Sequence, residues 1–196
     1  MMTRDQLLAV FRKTNALQRG HFELSSGRHS GHYFQCAQFL QHPQFAAKVC
    51  RELAKRFAAK KPTVIIGPAT GGILVAYEVA RSLSARSFYA ERVDAEMQLR
   101  RGFTVTKTDR VLIVEDVITT GESARKVGEL VEALGAKVVG VGVIMDRSGG
   151  SVKFGGWKYE RLLVIDFESF KPHDCPLCKE RVPLTHPGRL PRKPVV

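Results

Sequence analysis

The chain has 196 residues, of which 44% are hydrophobic and 26% are charged. These values are typical of a folded globular protein and exclude a disordered chain, a collagen-like repeat and a coiled-coil rod. No stretch approaches the roughly 18 consecutive apolar residues of a membrane span. The N-terminus lacks the apolar region of a signal peptide, so we expect a cytoplasmic protein without a membrane partner.

Charge is the unusual feature of the composition. The chain carries 31 Lys and Arg residues against 19 Asp and Glu residues, a formal net charge of +12. Such a surplus attracts polyanions, which include nucleic acids and phosphorylated small molecules. A solvated basic surface is the other explanation, because part of the excess follows Lys171, away from the motif described below.

Hydrophobic spacing predicts helices and strands in alternation. A helix capped at Thr3 is expected to run to about Leu17, and two aromatic runs around residues 25–31 are typical of a β-hairpin with a long polar loop. Further helices are predicted from Pro43 to before Pro62 and over residues 73–83 and 122–134. Strands are predicted over residues 63–67, 87–91, 111–114, 137–145 and 162–166. Residues 92–109 are interpreted as a long mobile loop or hairpin.

This alternation indicates an α/β fold with a central, mainly parallel sheet flanked by helices. We expect one domain, residues 1–196. Within it, residues 1–42 would form a small N-terminal helix–hairpin hood, residues 43–170 the α/β core and residues 171–196 a surface tail.

The segment over residues 111–123 carries the chemistry. An apolar strand leads into two acids, Glu115 and Asp116, followed by Val117 and Ile118, and then by a turn rich in Thr, Gly and Ser at the start of a helix. Such a turn offers backbone N–H groups and hydroxyls to an anion at the positive end of the helix dipole. Gly121 allows close approach of the backbone.

The two acids lie where ligands bind in open α/β sheets, at the carboxyl end of a strand. Their carboxylates can accept hydrogen bonds from neighbouring sugar hydroxyls. A turn that holds phosphate and acids that hold a diol together describe a ribose 5-phosphate site. The alternative is an ordinary helix cap followed by an ordinary turn.

The segment resembles the motif with which type I phosphoribosyltransferases bind 5-phosphoribosyl 1-diphosphate (PRPP). The wider resemblance, to the orotate phosphoribosyltransferase family, extends to about Leu184 and is supported by residues 22–30, 66–72 and 145–147. It implies the type I fold, Mg²⁺ held mainly through PRPP, and a homodimer with shared active sites. It also implies transfer of the phosphoribosyl group to orotate in pyrimidine synthesis, with orotidine 5′-monophosphate and pyrophosphate as products.

The resemblance also implies roles for individual residues. Glu115 and Asp116 would contact the ribose hydroxyls and act in catalysis with Arg92. The PRPP-binding residues would be Glu115, Asp116, Val117, Ile118, Thr119, Thr120, Gly121, Glu122 and Ser123. The loop that lines pyrophosphate would consist of Ala69, Thr70, Gly71 and Gly72.

Orotate would be bound by Thr119, Arg147 and Phe34. A guanidinium such as that of Arg147 offers two parallel donors to a carboxylated ring. Without the resemblance, a surface ion pair would be the favoured interpretation of Arg147, and core packing that of Phe34. No metal ligand is assigned among the protein residues, because Mg²⁺ usually retains oxygens of its substrate and water.

The chain departs from the family in its catalytic loop. Many relatives carry an Arg-Lys pair, a further Lys and a His in this loop. In residues 91–103 of this chain, only Arg92 occupies the position of the Arg-Lys pair, and the later Lys and His are missing. Arg100 and Arg101 would supply the charge instead. Ser25 stands where many relatives place a lysine beside the base. We interpret the chain as a branch with a shortened loop.

Cysteine spacing leaves a second question open. Cys175 and Cys178 form one Cys-x-x-Cys, half of a zinc site, with His173 and His186 nearby in sequence. A reduced structural pair is favoured over zinc, and a redox role is less consistent with the position of the pair. Cys36 and Cys50 are expected in the core.

Two other functions stay open at this stage. The first is a phosphoribosyltransferase for another base, because the PRPP site is shared with purine relatives. The second is a PRPP-sensing regulator that binds nucleic acid, which the positive charge and altered loop favour. No segment resembles a nucleic-acid-binding module, so we expect no specific nucleic-acid partner.

Overall fold

Helices and strands alternate through the middle of the chain, as the sequence predicts. The computed structural model describes residues 2–24 and 26–187. Short 3₁₀ turns lie at Ala58–Lys60 and Pro172–Asp174. The other elements are α1 (Arg4–Lys13), β1 (Leu17–Glu23), β2 (His29–Phe34), α2 (Ala37–Leu40), α3 (Pro43–Lys55), β3 (Val64–Pro68), α4 (Gly71–Leu83), β4 (Arg86–Val93), β5 (Glu96–Leu99), β6 (Arg110–Ile118), α5 (Glu122–Ala133), β7 (Lys137–Asp146), β8 (Tyr159–Val164), β9 (Ser169–Phe170) and α6 (Pro176–Lys179).

The central sheet has six strands in the order β5-β4-β3-β6-β7-β8. All neighbouring pairs run parallel except β4 and β5, which form an antiparallel hairpin at one edge. The predicted α/β fold with a mainly parallel sheet is therefore confirmed. Parallel strands end at the same edge of the sheet, so the loops after β3, β6 and β7 emerge side by side.

Helices on both faces explain the apolar runs of the central strands β3, β6 and β7. Ile65 and Leu112 face the cluster that contains α3 and α4, whereas Ile66 and Ile113 face the cluster that contains α5. Successive residues of a strand point to opposite faces, so a strand covered on both sides needs an unbroken apolar run.

The hood contains more than the predicted helix and hairpin. Strands β1 and β2 pair antiparallel, as expected, and β9 adds a third strand that the sequence did not predict. Helix α1 ends at Lys13 and not near Leu17, because Asn15 adopts a left-handed conformation with φ 54° and Leu17 begins β1. Because β9 belongs to residues 43–170, the hood sheet includes a strand from the segment assigned to the core.

The segment over residues 92–109 begins as a tight hairpin. Strand β4 continues to Val93, and β5 returns antiparallel from Glu96. Asp94 and Ala95 between them both have positive φ, which matches the right-handed twist of the flanking strands. In the part of the chain that the structure describes, no helix is long and apolar enough to cross a membrane.

Candidate active site

The acid pair, Glu115 and Asp116, meets the glycine loop, residues 69–72, at the carboxyl edge of the sheet. Glu115 and Asp116 lie near the end of β6, and the neighbouring strand β3 leads into α4, which begins at Gly71. A methyl group placed on Gly71 would lie 2.5 Å from both carboxylate oxygens of Asp116. The carboxylate therefore rests on the Gly71 backbone, and only glycine leaves room for it.

The glycine loop is itself tightly folded. A methyl group on Gly67 would lie 2.1 Å from the carbonyl oxygen of Gly72, so β3 and the start of α4 approach to backbone contact. The Ala69–Thr70 peptide bond is cis. Ala69 donates its N–H to the carbonyl of Ala90 on β4 at 2.8 Å, which ties the loop to the next strand.

The predicted phosphate loop connects β6 to α5. Thr119 and Thr120 are exposed, and Gly121 precedes the helix with φ 74°, a conformation that favours glycine. A side chain at Gly121 would also collide with Val152 and Phe154, each 2.9 Å from the methyl position. The loop thus presents hydroxyls and the first N–H groups of a 12-residue helix at one exposed place.

Burial determines the charge state of the acid pair. Burial, followed by repulsion from Asp116, raises the pKa of Glu115 to about 8. Burial also raises the pKa of Asp116, although hydrogen bonds from the backbone at Val117 and Asp116 and from the Cys36 thiol oppose the shift. The two carboxyl groups therefore hold protons more readily than exposed acids, and a ligand that supplies donors would favour their ionised forms.

Arg92 lies beside the phosphate loop of its own chain. Its guanidinium is 3.6 Å from the Glu122 carboxylate and 3.5 Å from the Ser123 hydroxyl. Arg100 and Arg101, the expected substitutes, instead form ion pairs with Glu91 at 3.5 and 3.1 Å. Of these three arginines, Arg92 is the one in contact with the loop.

Arg147 emerges next to Thr119. Strands β6 and β7 pair Ile118 with Asp146, and Arg147 donates its backbone N–H to the Ile118 carbonyl at 2.8 Å. Burial lowers the pKa of the Arg147 guanidinium. The structure thus brings together two of the three residues assigned to orotate.

Asp146 holds the turn that carries Arg147. Its buried carboxylate accepts hydrogen bonds from the Ser148 backbone and hydroxyl, from the Tyr159 hydroxyl and from Arg161. Burial raises the pKa of Asp146, but these donors outweigh it and the net pKa is lowered. An ionised, fully bonded carboxylate therefore fixes the position of Arg147.

Phe34 lies apart from these residues. Its side chain is 4% exposed and packs edge-on against Phe11 in the core, with ring centroids 5.0 Å apart. This is the core packing that the sequence left open as the alternative to a contact with the base. The aromatic ring beside Arg147 is Phe167, whose centroid lies 5.6 Å from the guanidinium carbon.

Sequence reasoning missed the aromatic neighbours of Arg147. His32 stacks on Phe167 with ring centroids 5.6 Å apart, and Tyr33 interacts electrostatically with Arg147. His32 and Tyr33 stand just before Phe34 in the predicted hairpin, so the aromatic run was the available signal. Nothing local indicated Phe167. Ser25, the position of a lysine in many relatives, lies outside the described residues.

The raised pKa of Glu115 predicts a pH-dependent loss of stability. The folded protein keeps a proton between the unfolded pKa of about 4.5 and the folded pKa of about 8, so unfolding releases it and stability falls as pH rises through this window. Glutamine cannot bind or release this proton, so the stability of Glu115→Gln lacks this pH dependence. We expect its melting temperature relative to wild type to be higher at pH 8 than at pH 5, by about 3 °C or more.

Differential scanning fluorimetry of both proteins from pH 5 to pH 9 measures this difference. Glu129→Gln, at an exposed acid on α5, serves as the control and should track the wild type at every pH. A Glu115→Gln curve parallel to that of wild type would contradict the assigned burial.

Comparisons with known proteins agree with this site. The family model described as the phosphoribosyl transferase domain matches residues 35–170. Orotate phosphoribosyltransferase of Pelotomaculum thermopropionicum is 54% identical over 187 residues, 95% of this chain and 98% of that protein. The same enzyme of Desulforamulus reducens is 51% identical over 95% of this chain and 97% of that protein.

Solved structures resemble the fold as well. The crystal structure of orotate phosphoribosyltransferase from Aeropyrum pernix has a TM-score of 0.69 and 28% identity, covering 81% of this chain and 93% of that one. The crystal structure of the Mycobacterium tuberculosis H37Rv enzyme in complex with PRPP has a TM-score of 0.65 and 26% identity, covering 82% of this chain and 95% of that one. The predicted resemblance is therefore confirmed, and this chain belongs to the orotate phosphoribosyltransferase family.

Proposed function

We propose that this chain transfers the 5-phosphoribosyl group of PRPP to orotate, giving orotidine 5′-monophosphate and pyrophosphate, and that the residues at the carboxyl edge of the sheet perform the reaction. The observation that carries the assignment is the close contact between the Asp116 carboxylate and Gly71. A methyl group added to Gly71 would lie 2.5 Å from the carboxylate oxygens. This contact joins the acid pair to the glycine loop. Arg147 and Thr119 emerge beside each other at the same edge.

The sugar phosphate is held by the turn and the acid pair. N–H groups at the start of α5 and the hydroxyls of Thr119, Thr120 and Ser123 bind the 5′-phosphate. Glu115 and Asp116 accept hydrogen bonds from the ribose hydroxyls. Their raised pKa values are consistent with this role, because bound donors offset part of the cost of ionising two neighbouring, partly buried acids.

The leaving group is held by the glycine loop and Arg92. Backbone N–H groups of residues 70–72, at the start of α4, form a concave anion site, and Gly71 and Gly72 have no Cβ to block it. Arg92 adds a cation at one side of the phosphate loop. Positive charge develops at C1 and the ring oxygen as pyrophosphate departs, so catalysis comes from positioning and from anionic groups near the sugar.

Orotate is held through its carboxylate by Arg147. The guanidinium is partly shielded from water and lies over the Phe167 ring, and Asp146 fixes the turn that presents it. A planar fork with two parallel donors matches a carboxylate on a flat ring. Thr119 contributes a hydroxyl at the same end of the sheet.

Mg²⁺ fits the oxygen donors at this edge. Among the described residues, the one cluster of three or more groups able to hold a metal ion lies elsewhere, and the site itself offers two carboxylates. The ion would therefore be held mainly by PRPP oxygens, with Glu115 and Asp116 as the available protein oxygens. When bound, it supplies charge neutralisation on pyrophosphate.

The proposal includes a homodimer with shared active sites. Leu74 and Tyr77 on α4 are 51% and 60% exposed, and both lie on the helix that follows the glycine loop. Large exposed apolar side chains next to a site are typical of an interface.

A cytoplasmic location remains a prediction.

A panel of bases tests the substrate. Incubated with PRPP and Mg²⁺, the protein should consume orotate, followed by its ultraviolet absorbance, at least 100-fold faster than adenine, hypoxanthine or uracil. Preference for a purine would support the alternative base. Absence of turnover with every base, together with sequence-selective nucleic-acid binding altered by PRPP, would support the regulator.

Asp116→Asn tests the acid pair. The substitution keeps the shape of the side chain and removes a partly buried acid, so the fold should be as stable as that of wild type. We expect kcat/KM to fall by about 100-fold, because an amide cannot replace the anionic acceptor near the sugar. Steady-state kinetics and melting temperature are measured together, with Asp5→Asn on α1 as the control. Wild-type activity in Asp116→Asn would contradict the ribose contact.

Arg147→Lys tests recognition of the base. Lysine keeps the charge but loses the planar fork, so the KM for orotate should rise about 30-fold or more while the KM for PRPP changes less than about threefold. Arg51→Lys, at an exposed site on α3, is the matched control. An equal rise in both KM values would indicate a structural role for Arg147.

A further inference from the structure

Four metal-binding side chains converge between the hood hairpin and the tail. They are His21 on β1, His29 on β2, Cys175, which immediately precedes α6, and Cys178, which lies within it. One ligand atom from each lies within 4.8 Å of all the others. His21, His29 and Cys175 are buried, with exposures of 2%, 5% and 0%.

The two histidines meet across the hairpin. His29 pairs with Glu23, and His21 lies two residues before Glu23 on β1, in the stretch between Arg19 and Phe22 where the register of the pairing shifts. Their ring centroids lie 4.9 Å apart. The Cys-x-x-Cys segment lies against the two rings.

The distances match a tetrahedral metal site. His21 Nε2 lies 3.0 Å from His29 Nδ1, 3.5 Å from Cys175 Sγ and 3.7 Å from Cys178 Sγ. His29 Nδ1 lies 3.3 Å from Cys178 Sγ. Tetrahedral zinc with ordinary bond lengths requires about 3.3 Å between nitrogens and about 3.6 Å between nitrogen and sulfur.

Hydrogen bonding among these four groups does not account for the arrangement. His21 Nδ1 lies 2.8 Å from the Val182 carbonyl, which can only accept, so Nδ1 carries a proton. In the neutral ring, Nε2 then has a single lone pair, yet three ligand atoms surround it. A cation at the centre would satisfy all four groups at once, and the Val182 carbonyl is the outer partner that orients such a histidine.

We propose that His21, His29, Cys175 and Cys178 bind one structural Zn²⁺. Two thiolates and two imidazoles in tetrahedral geometry are a donor set that selects zinc, and four protein ligands leave no open position for chemistry. The site is separate from the Mg²⁺ assigned to PRPP, which takes oxygen ligands.

The metal would fasten the tail to the hood. Thr185 already donates its N–H and hydroxyl to the His21 carbonyl, and Glu23 donates its N–H to the Thr185 carbonyl. These contacts align the tail with β1. The metal adds a link through side chains some 150 residues apart in the sequence.

This ligand set differs from the one that the sequence suggested, in which His173 and His186 were the histidines nearby. The histidines nearest to the cysteine pair are engaged elsewhere: His173 lies 3.0 Å from the Asp174 carboxylate and His186 lies 3.1 Å from that of Glu23. The proposed ligands come instead from the hairpin, far along the chain.

Metal analysis of tag-free protein tests the proposal. After incubation with Zn²⁺ and gel filtration, mass spectrometry of the metal content should give about one Zn²⁺ per chain. Cys178→Ser should retain less than about a tenth of this, and its melting temperature should fall by about 5 °C or more. The double variant His173→Ala/His186→Ala is the matched control and should keep the metal.

A second measurement covers the case in which Cys178→Ser fails to fold. Wild-type protein loaded with Co²⁺ in place of Zn²⁺ should develop the intense visible bands of a tetrahedral site and a thiolate-to-metal charge-transfer band. Wild-type protein that holds less than about 0.2 Zn²⁺ per chain after loading, or an octahedral Co²⁺ spectrum without charge transfer, would overturn the proposal. Loss of zinc from the His173→Ala/His186→Ala variant would overturn the ligand assignment.

Discussion

Two neighbouring carboxyl groups held at the shielded end of a parallel strand are the constraint on which the site depends. Burial favours their protonated forms, and the charge of Asp116 makes ionisation of Glu115 harder still. The fold therefore maintains a polar arrangement that its own residues satisfy only in part. The proposed ligand, a sugar phosphate with several hydroxyls and a bound cation, would complete this arrangement, whereas an uncharged, apolar molecule would not.

The same constraint dictates residue types nearby. Gly71 has no side chain because the Asp116 carboxylate occupies that space, and Gly121 has none because Val152 and Phe154 do. Replacing either glycine would move backbone on which the acid pair or the phosphate loop rests. The glycines in the two loops thus serve packing at the site as well as close approach to an anion.

The parts of the molecule that sequence could predict are those encoded within one continuous segment. The strand, acid pair, turn and helix over residues 111–123 lie together in the sequence, so their positions follow from local pattern and from the rule for parallel sheets. Phe34, β9 and the histidines of the proposed zinc site depend on contacts between distant segments. The side chain of an aromatic residue in a hairpin can point to either face of the sheet. Phe34 points into the core, where it packs against Phe11, a residue far from it in the sequence.

The stability of the hood depends more on its contacts with other segments than on a core of its own. A sheet with strands of seven, six and two residues has little core of its own, and such small sheets are marginal alone. Phe11 packs against Phe34 of β2 and against Phe39, and Arg28 and Ser30 donate hydrogen bonds to the backbone carbonyls of Ser169 and Glu168. The tail lies along β1 through Thr185. Because β2 also carries His32 and Tyr33 toward Arg147, a metal that holds β1, β2 and the tail together would steady the side of the site where the base is proposed to bind.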